Sequence, residues 1–224
     1  MEILATGSAP FAMQLASSLL NAILNSSLSK YGGDIAIASM GIVNSITMLI
    51  LMPIFGINQG AQPIIGYNYG AKKYDRVKEA LKYAILAATV VVNIGYIMVR
   101  IFPAQLIALF NPKDAELIAF GSHAIQLFLA MFPVVGFQIV GSNFFQAIGK
   151  PKHAMILSLS RQVLILMPAL IFLPKFFGLK GVFYAGPLSD LTSAVLTGIW
   201  LFAELKKIDL KTEQQLAVRY KTEF

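Results

Sequence analysis

The 224-residue chain has no cysteine, one tryptophan, two histidines and only 13% charged residues, against 57% hydrophobic ones. The missing cysteines exclude disulfides, thiolate nucleophiles and Cys-ligated zinc or iron. The shortage of charge excludes more. Soluble domains run at roughly 45–50% apolar and about 25% charged residues, so this composition leaves too little polar surface to cover a water-exposed body. A mean hydropathy of +0.69 agrees, and the class left is membrane-embedded. Catalytic patterns are missing as well. There are no paired catalytic carboxylates, no G-x-S-x-G, no Walker loop and no G-x-G-x-x-G after a strand. The reading is therefore a membrane protein that is not an enzyme and uses no cofactor. His123 and His153 lie far apart and lack a second ligand at metal spacing, so no metal site is expected.

What is present is six long apolar stretches, 3–28, 35–65, 81–102, 117–148, 154–173 and 182–202. At about 20 residues per spanning helix, they predict an all-α membrane protein, a bundle of six transmembrane helices over residues 1–205 with a charged tail over 206–224. Glu2 stands where a signal peptide carries basic residues, and Gln14, Asn21 and Asn25 interrupt the first run, which argues against a cleavable leader. The segment Gly70 to Glu79 reads as a turn followed by a short amphipathic helix, with Asp75 as N-cap and Glu79 paired to Lys82. The tail, with Leu205, Ile208 and Leu216 too sparse for a seventh span, reads as solvated or surface-lying.

A net charge of +7 could suggest nucleic acid, but the basic residues sit in short segments between apolar runs, so no nucleic-acid partner is expected. Membrane topology accounts for them. One side collects twelve: Lys72, Lys73, Arg76, Lys78, Lys82, Lys150, Lys152, Lys206, Lys207, Lys211, Arg219 and Lys221. The other collects five: Lys30, Arg100, Lys113, Lys175 and Lys180. Positive residues concentrate on the cytoplasmic side, so the chain is expected to be a multi-pass protein of the cell membrane with both termini cytoplasmic. Five stretches contain an internal proline, Pro10, Pro53, Pro133, Pro168 and Pro187. Each removes a helical hydrogen bond, so bent helices are expected.

Polar residues enter the apolar stretches in a pattern. Gln14, Ser18, Asn21 and Asn25 fall at offsets 0, 4, 7 and 11, one face of a helix. Asn44, Asn58 and Gln62 share a face of the second stretch, and Gln138, Ser142 and Gln146 follow at i, i+4, i+8 in the fourth. Such stripes either line a shared cavity or bridge helices. Two ionisable groups lie deep, Arg161 in the fifth stretch and Asp190 in the sixth. A charge at the bilayer centre costs about 2.5–3.5 kcal/mol even on the gentler scales. Counting residues inward puts the two within about 5 Å in depth at 1.5 Å per residue, close enough to meet. Asp190 then either binds a cation or proton during transport, with Arg161 holding it charged between turns, or forms a permanent ion pair that orients two helices.

The run GINQGAQPIIGYNYGAKKYDRVKEALKYA, Gly56 to Ala84, resembles the multidrug and toxic compound extrusion (MATE) family, particularly a branch common in Firmicutes. GSAPFAMQ from Gly7, FFQAIGKPKHAMILSLSRQVL from Phe144 and YAGPLSDLTSAVLT from Tyr184 resemble the same branch. The resemblance implies one six-helix lobe of a twelve-helix transporter built from two parallel repeats. The amide-rich first helix and the Arg161/Asp190 combination look like the C-terminal lobe of that branch. The Q-x-x-x-G-x-x-x-G signature, here Gln62, Gly66 and Gly70, occurs in both lobes. By resemblance the activity is secondary antiport, with small cationic, amphipathic drugs leaving as Na⁺ or H⁺ enters. Branches that place cation-binding acids on the first and fourth helices differ here, where Gln14, Ser18 and Gln138 stand, so the coupling role passes to Asp190. The partner implied, besides lipid, is the missing N-terminal lobe or a second copy of the chain, with a truncated reading frame favoured. A lipid or oligosaccharide flippase of the same superfamily is one alternative. A non-transporting remnant or assembly partner is the other.

Overall fold

A computed structural model describes residues 2–223 of the chain, and side chains over 14–214. Helix α1 (Glu2–Gly70) is continuous by hydrogen bonding but breaks at Gly33, whose φ of 66° and ψ of −162° lie outside helical space. A side chain is strained in that conformation, and glycine is not. The described part of α1, Gln14–Gly70, has 57 residues and would measure about 85 Å if straight. The hydrocarbon core is only about 30 Å thick, so the Gly33 break divides α1 into two crossings.

Helix α2 (Tyr74–Ile101) follows a three-residue turn in which Lys72 takes φ 56°. It is succeeded by the short α3 (Pro103–Ala108), α4 (Ala115–Phe128) and α5 (Val135–Ala147). Helices α6 (Pro151–Leu159) and α7 (Met167–Phe177) are joined by a wide π-helical segment, Ser160–Leu166. Helix α8 (Leu179–Glu223) completes the chain. Four helices are long and apolar enough to cross a membrane, and α4 with α5, bent by 48° across a 3₁₀ turn at Phe132–Val134, makes a fifth crossing. With α1 counted twice the described chain makes six. No strand occurs among the described residues.

Several sequence-based expectations are corrected. Helix α2 begins at Tyr74, with no side-chain cap on its first residue, so the turn is shorter than expected and no separate amphipathic helix precedes the span. Tyr74 packs edge-on against Tyr69 with ring centroids 5.8 Å apart, which draws the helix start forward. Asp75 therefore lies in the first turn, facing Lys78 at 3.3 Å. Glu79 and Lys82 are not among the ion pairs of the described residues, because two exposed flexible chains gain too little in water to hold one geometry. Among the prolines, Pro133 sits in the 48° bend, and Pro168 stands at the start of α7 directly after the π-helical segment. There the wider coil accommodates the clash of the proline ring with the carbonyl one turn back. Pro53 and Pro187 lie inside unbroken helix, and Pro10 lies outside the residues whose side chains are described. Helix α8 also runs past residue 205. Ile208 is fully buried, so the first turn of the expected tail belongs to the lobe.

The core is built where helices approach closely. A Cβ on Gly136 would lie 2.9 Å from the Ala88 carbonyl oxygen, and one on Gly141 would lie 2.6 Å from Thr197 Cγ2. Phe132, Phe144 and Phe145 fill the space between. In lipid such packing stabilises through dispersion and close fit rather than water exclusion. Leu109, Phe176 and Phe202 are left as exposed apolar side chains on the outside of the lobe.

Candidate functional site

On α8, Ser189, Asp190, Ser193, Thr197 and Glu204 are all buried. Asp190, Ser193, Thr197 and Glu204 follow at offsets 0, 3, 7 and 14, within about 60° of one another around a helix. They form a polar column that runs down the inside of the lobe.

At the upper end of the column Arg161 reaches Asp190 from the π-helical segment. Its Nε and one terminal nitrogen both donate to the same carboxylate oxygen, at 3.0 and 2.6 Å. The Asp190 side chain is 7% exposed and that of Arg161 29%. Ser189 Oγ donates to the Arg161 carbonyl at 2.9 Å, and Ser160 Oγ donates to the Leu157 carbonyl at 2.9 Å. The two serines thus help satisfy carbonyls around the widened coil, where i→i−4 bonding is lost. Next along the segment, Gln162 Oε1 accepts from Ser17 Oγ on α1 at 3.2 Å. The residue after Arg161 is therefore hydrogen-bonded to α1.

The stripes separate in an informative way. Gln14, Ser18, Asn21 and Asn25 are all exposed, as are Asn44 and Gln62. These residues are not buried between helices of the lobe: the first four leave the polar stripe of the first crossing open, and Asn44 and Gln62 are exposed on the second. Asn21 bonds back to the Ser17 carbonyl at 3.0 Å. Gln138 and Ser142 behave oppositely. They are 4% and 5% exposed and bonded to each other at 3.3 Å. Gln146 is exposed and apart from them, while Asn58 is buried. Gln138 Oε1, Ser193 Oγ, Thr197 Oγ1, Asn58 Nδ2 and Ser39 Oγ are buried without a protein hydrogen-bond partner. The first three belong to the α5/α8 pair of helices. In the signature, Gln62 is exposed, Gly66 lets α1 approach the Ala147 carbonyl, which a Cβ would meet at 3.1 Å, and Gly70 ends α1.

One buried acid escaped the sequence reading. Glu204 lies at the boundary assigned to the tail, yet its side chain is 5% exposed and accepts from Lys150 Nζ at 2.6 Å. The offset of 14 from Asp190 was the available signal. His123 and His153 are both exposed, and no group of three or more metal-ligating side chains occurs among the described residues.

A family model described as MatE matches residues 10–171. The multidrug export protein MepA of Staphylococcus haemolyticus is 25% identical over 195 residues, 87% of this chain and 42% of that protein. MepA of Staphylococcus aureus strain N315 is 25% identical over 213 residues, 95% of this chain and 46% of that protein. The chain thus spans less than half the length of these curated relatives. Among solved structures, the MATE multidrug transporter DinF-BH, captured in a ligand complex, is 38% identical, with a TM-score of 0.78 over 90% of this chain and 45% of that one. An inward-facing MATE family transporter of the MOP superfamily is 24% identical, with a TM-score of 0.84 over 92% of this chain and 48% of that one. With the family model covering most of its length and a six-crossing helical lobe beneath it, this chain belongs to the MatE family of membrane transport proteins.

Proposed function

We propose that the chain acts as the C-terminal lobe of a secondary multidrug antiporter, which exports small cationic amphipathic compounds against entry of Na⁺ or H⁺. The observation that carries this reading is the exposed polar residues on both crossings of α1. Gln14, Ser18, Asn21, Asn25, Asn44 and Gln62 are exposed on a lobe whose apolar core is already filled. Amides facing lipid cost several kcal/mol each when unpaired, by estimates of roughly 2–7 kcal/mol, so these residues belong against water and a second lobe. That lobe is the N-terminal half, on a longer chain or a separate one, with a second copy as the alternative. The cleft between lobes would open alternately to each side.

Asp190 is assigned the coupling role, with Arg161 as the cation that balances it when no coupling ion is bound. The same pairing disfavours flipping of phosphate-bearing lipids, because the deep guanidinium is committed to Asp190. Both termini are assigned to the cytoplasm and the lobe to the cell membrane, a reading that the clustering of basic residues on one side supports.

The test joins this chain to the N-terminal half of DinF-BH in a strain lacking its own efflux pumps, and follows the fluorescence of preloaded ethidium. The fusion is expected to extrude ethidium, the chain alone is not, and Asp190→Asn in the fusion is expected to abolish export. A folded fusion that retains ethidium sinks the transport reading. Export by the chain alone assigns the partner to a second copy, and an unchanged rate in Asp190→Asn makes the ion pair a scaffold. Proteoliposomes carrying either a Na⁺ or an H⁺ gradient identify the coupling ion.

A further inference from the structure

At the end of the lobe opposite Leu179, α6 and α8 enclose a recess of about 220 Å³ lined by Phe145, His153, Ile199, Trp200, Ala203, Glu204 and Lys207. Its floor is Phe145, 1% exposed. The His153 ring stacks on Phe145 at 5.8 Å with 11° between planes, and meets Trp200 edge-on at 5.4 Å. Trp200 lies 21 residues beyond the start of α8, about 32 Å along the axis. That distance matches the hydrocarbon thickness of about 30 Å, so the recess lies at the membrane–water interface, where Trp is favoured.

We propose that this recess binds the headgroup of an anionic phospholipid. The recess is walled mainly by apolar groups, and three of its lining residues can donate: Trp200 through its indole N–H, His153 through a ring N–H and Lys207 through its ammonium. Lys207 has no acid within salt-bridge distance among the described residues, so its charge is available to a phosphate. Glu204, the acid in the lining, is 5% exposed and held by Lys150 at 2.6 Å, which removes the repulsion an anion would otherwise meet. Phe145, Ala203 and the 60% exposed Ile199 offer apolar surface for the glycerol and upper acyl chain. An acidic headgroup over a membrane-facing apolar slot is the chemistry of an anionic lipid, and a zwitterionic one brings an ammonium that would oppose Lys207. The site is separate from the α1 face and from Asp190, so it stands or falls independently of the transport reading.

Trp200 is the sole tryptophan, so its fluorescence reports the recess without labelling. The full chain is placed in nanodiscs in which a fixed fraction of lipid is brominated phosphatidylglycerol or brominated phosphatidylcholine. Bromine quenches the indole at contact. Phosphatidylglycerol is expected to quench at least twofold more at equal mole fraction. Lys207→Gln is expected to remove that preference while leaving quenching by phosphatidylcholine intact. Lys206→Gln, on the neighbouring exposed residue outside the lining, is expected to preserve it. Equal quenching by the two lipids overturns the proposal. An equal loss in both lysine variants also overturns it, because the attraction is then diffuse. Removal of the preference by inorganic phosphate assigns the recess to a soluble anion and overturns it likewise.

Discussion

The lobe contains two ion pairs of nearly identical construction at different depths. Arg161–Asp190 and Lys150–Glu204 both close to 2.6 Å, with acids 7% and 5% exposed and bases 29% and 30% exposed. Asp190 stands 11 residues into α8 and Glu204 stands 25, about 16 and 38 Å along the axis. The first pair is therefore near the middle of the hydrocarbon, and the second is at its edge. Distance and exposure alone would rank them equal. Depth separates them, because a charge that loses its partner at the interface can recruit water, whereas one at the centre cannot. The deep pair is also held through the backbone, by Ser189 on the Arg161 carbonyl.

The sharpest way to break this comparison is Arg161→Ala, which strands a buried carboxylate. It is expected to destabilise the lobe by about 3–5 kcal/mol, read as a fall in the thermal unfolding midpoint in detergent. The double variant Arg161→Leu with Asp190→Leu is expected to recover most of that loss. Lys150→Ala is expected to cost less, about 2 kcal/mol, and a loss as large as that of Arg161→Ala would show that depth does not separate the pairs. Gly33→Ala supplies a yardstick outside both pairs, since it forces a side chain into φ 66° and is expected to cost about 1–3 kcal/mol. The smallest effect concerns the surface pair of Lys78 with Asp209, at 2.8 Å. Its side chains are 36% and 53% exposed, so water and salt screen the attraction. Asp209→Asn is therefore expected to change stability by no more than about 0.5 kcal/mol, and that change is expected to shrink when the unfolding midpoint is measured again in high salt. A larger or salt-insensitive change would mean that this contact anchors the lower part of α8.

Much of the candidate site was legible because its signals are periodic or rare. Four amides on one helix face are a pattern in a line of residues, and two charges within apolar runs stand out against their neighbours. The structure brings Arg161 and Asp190 into contact and leaves the α1 stripe open. The burial of Glu204 and its capture by Lys150 were not legible, since both residues sit at the ends of apolar runs where charged side chains are ordinarily solvated. The π-helical segment was hidden as well. Pro168 announces a disturbed helix, but whether it bends, as near Pro133, or widens, as before Pro168, depends on what packs beside it.

The sequence by itself determined that the chain is an apolar, helical membrane protein, because the transfer of apolar side chains and backbone into lipid is decided segment by segment. It also determined the polar faces, because helical periodicity is a local property. Only the tertiary structure decided which of those faces is used up inside the lobe and which is left open. Gln138 and Ser142 are buried inside the lobe, and the Gln14–Asn25 face is left uncovered by the described part of the lobe. That difference depends on which helices pack together, and close packing is a relation between segments that no single segment encodes.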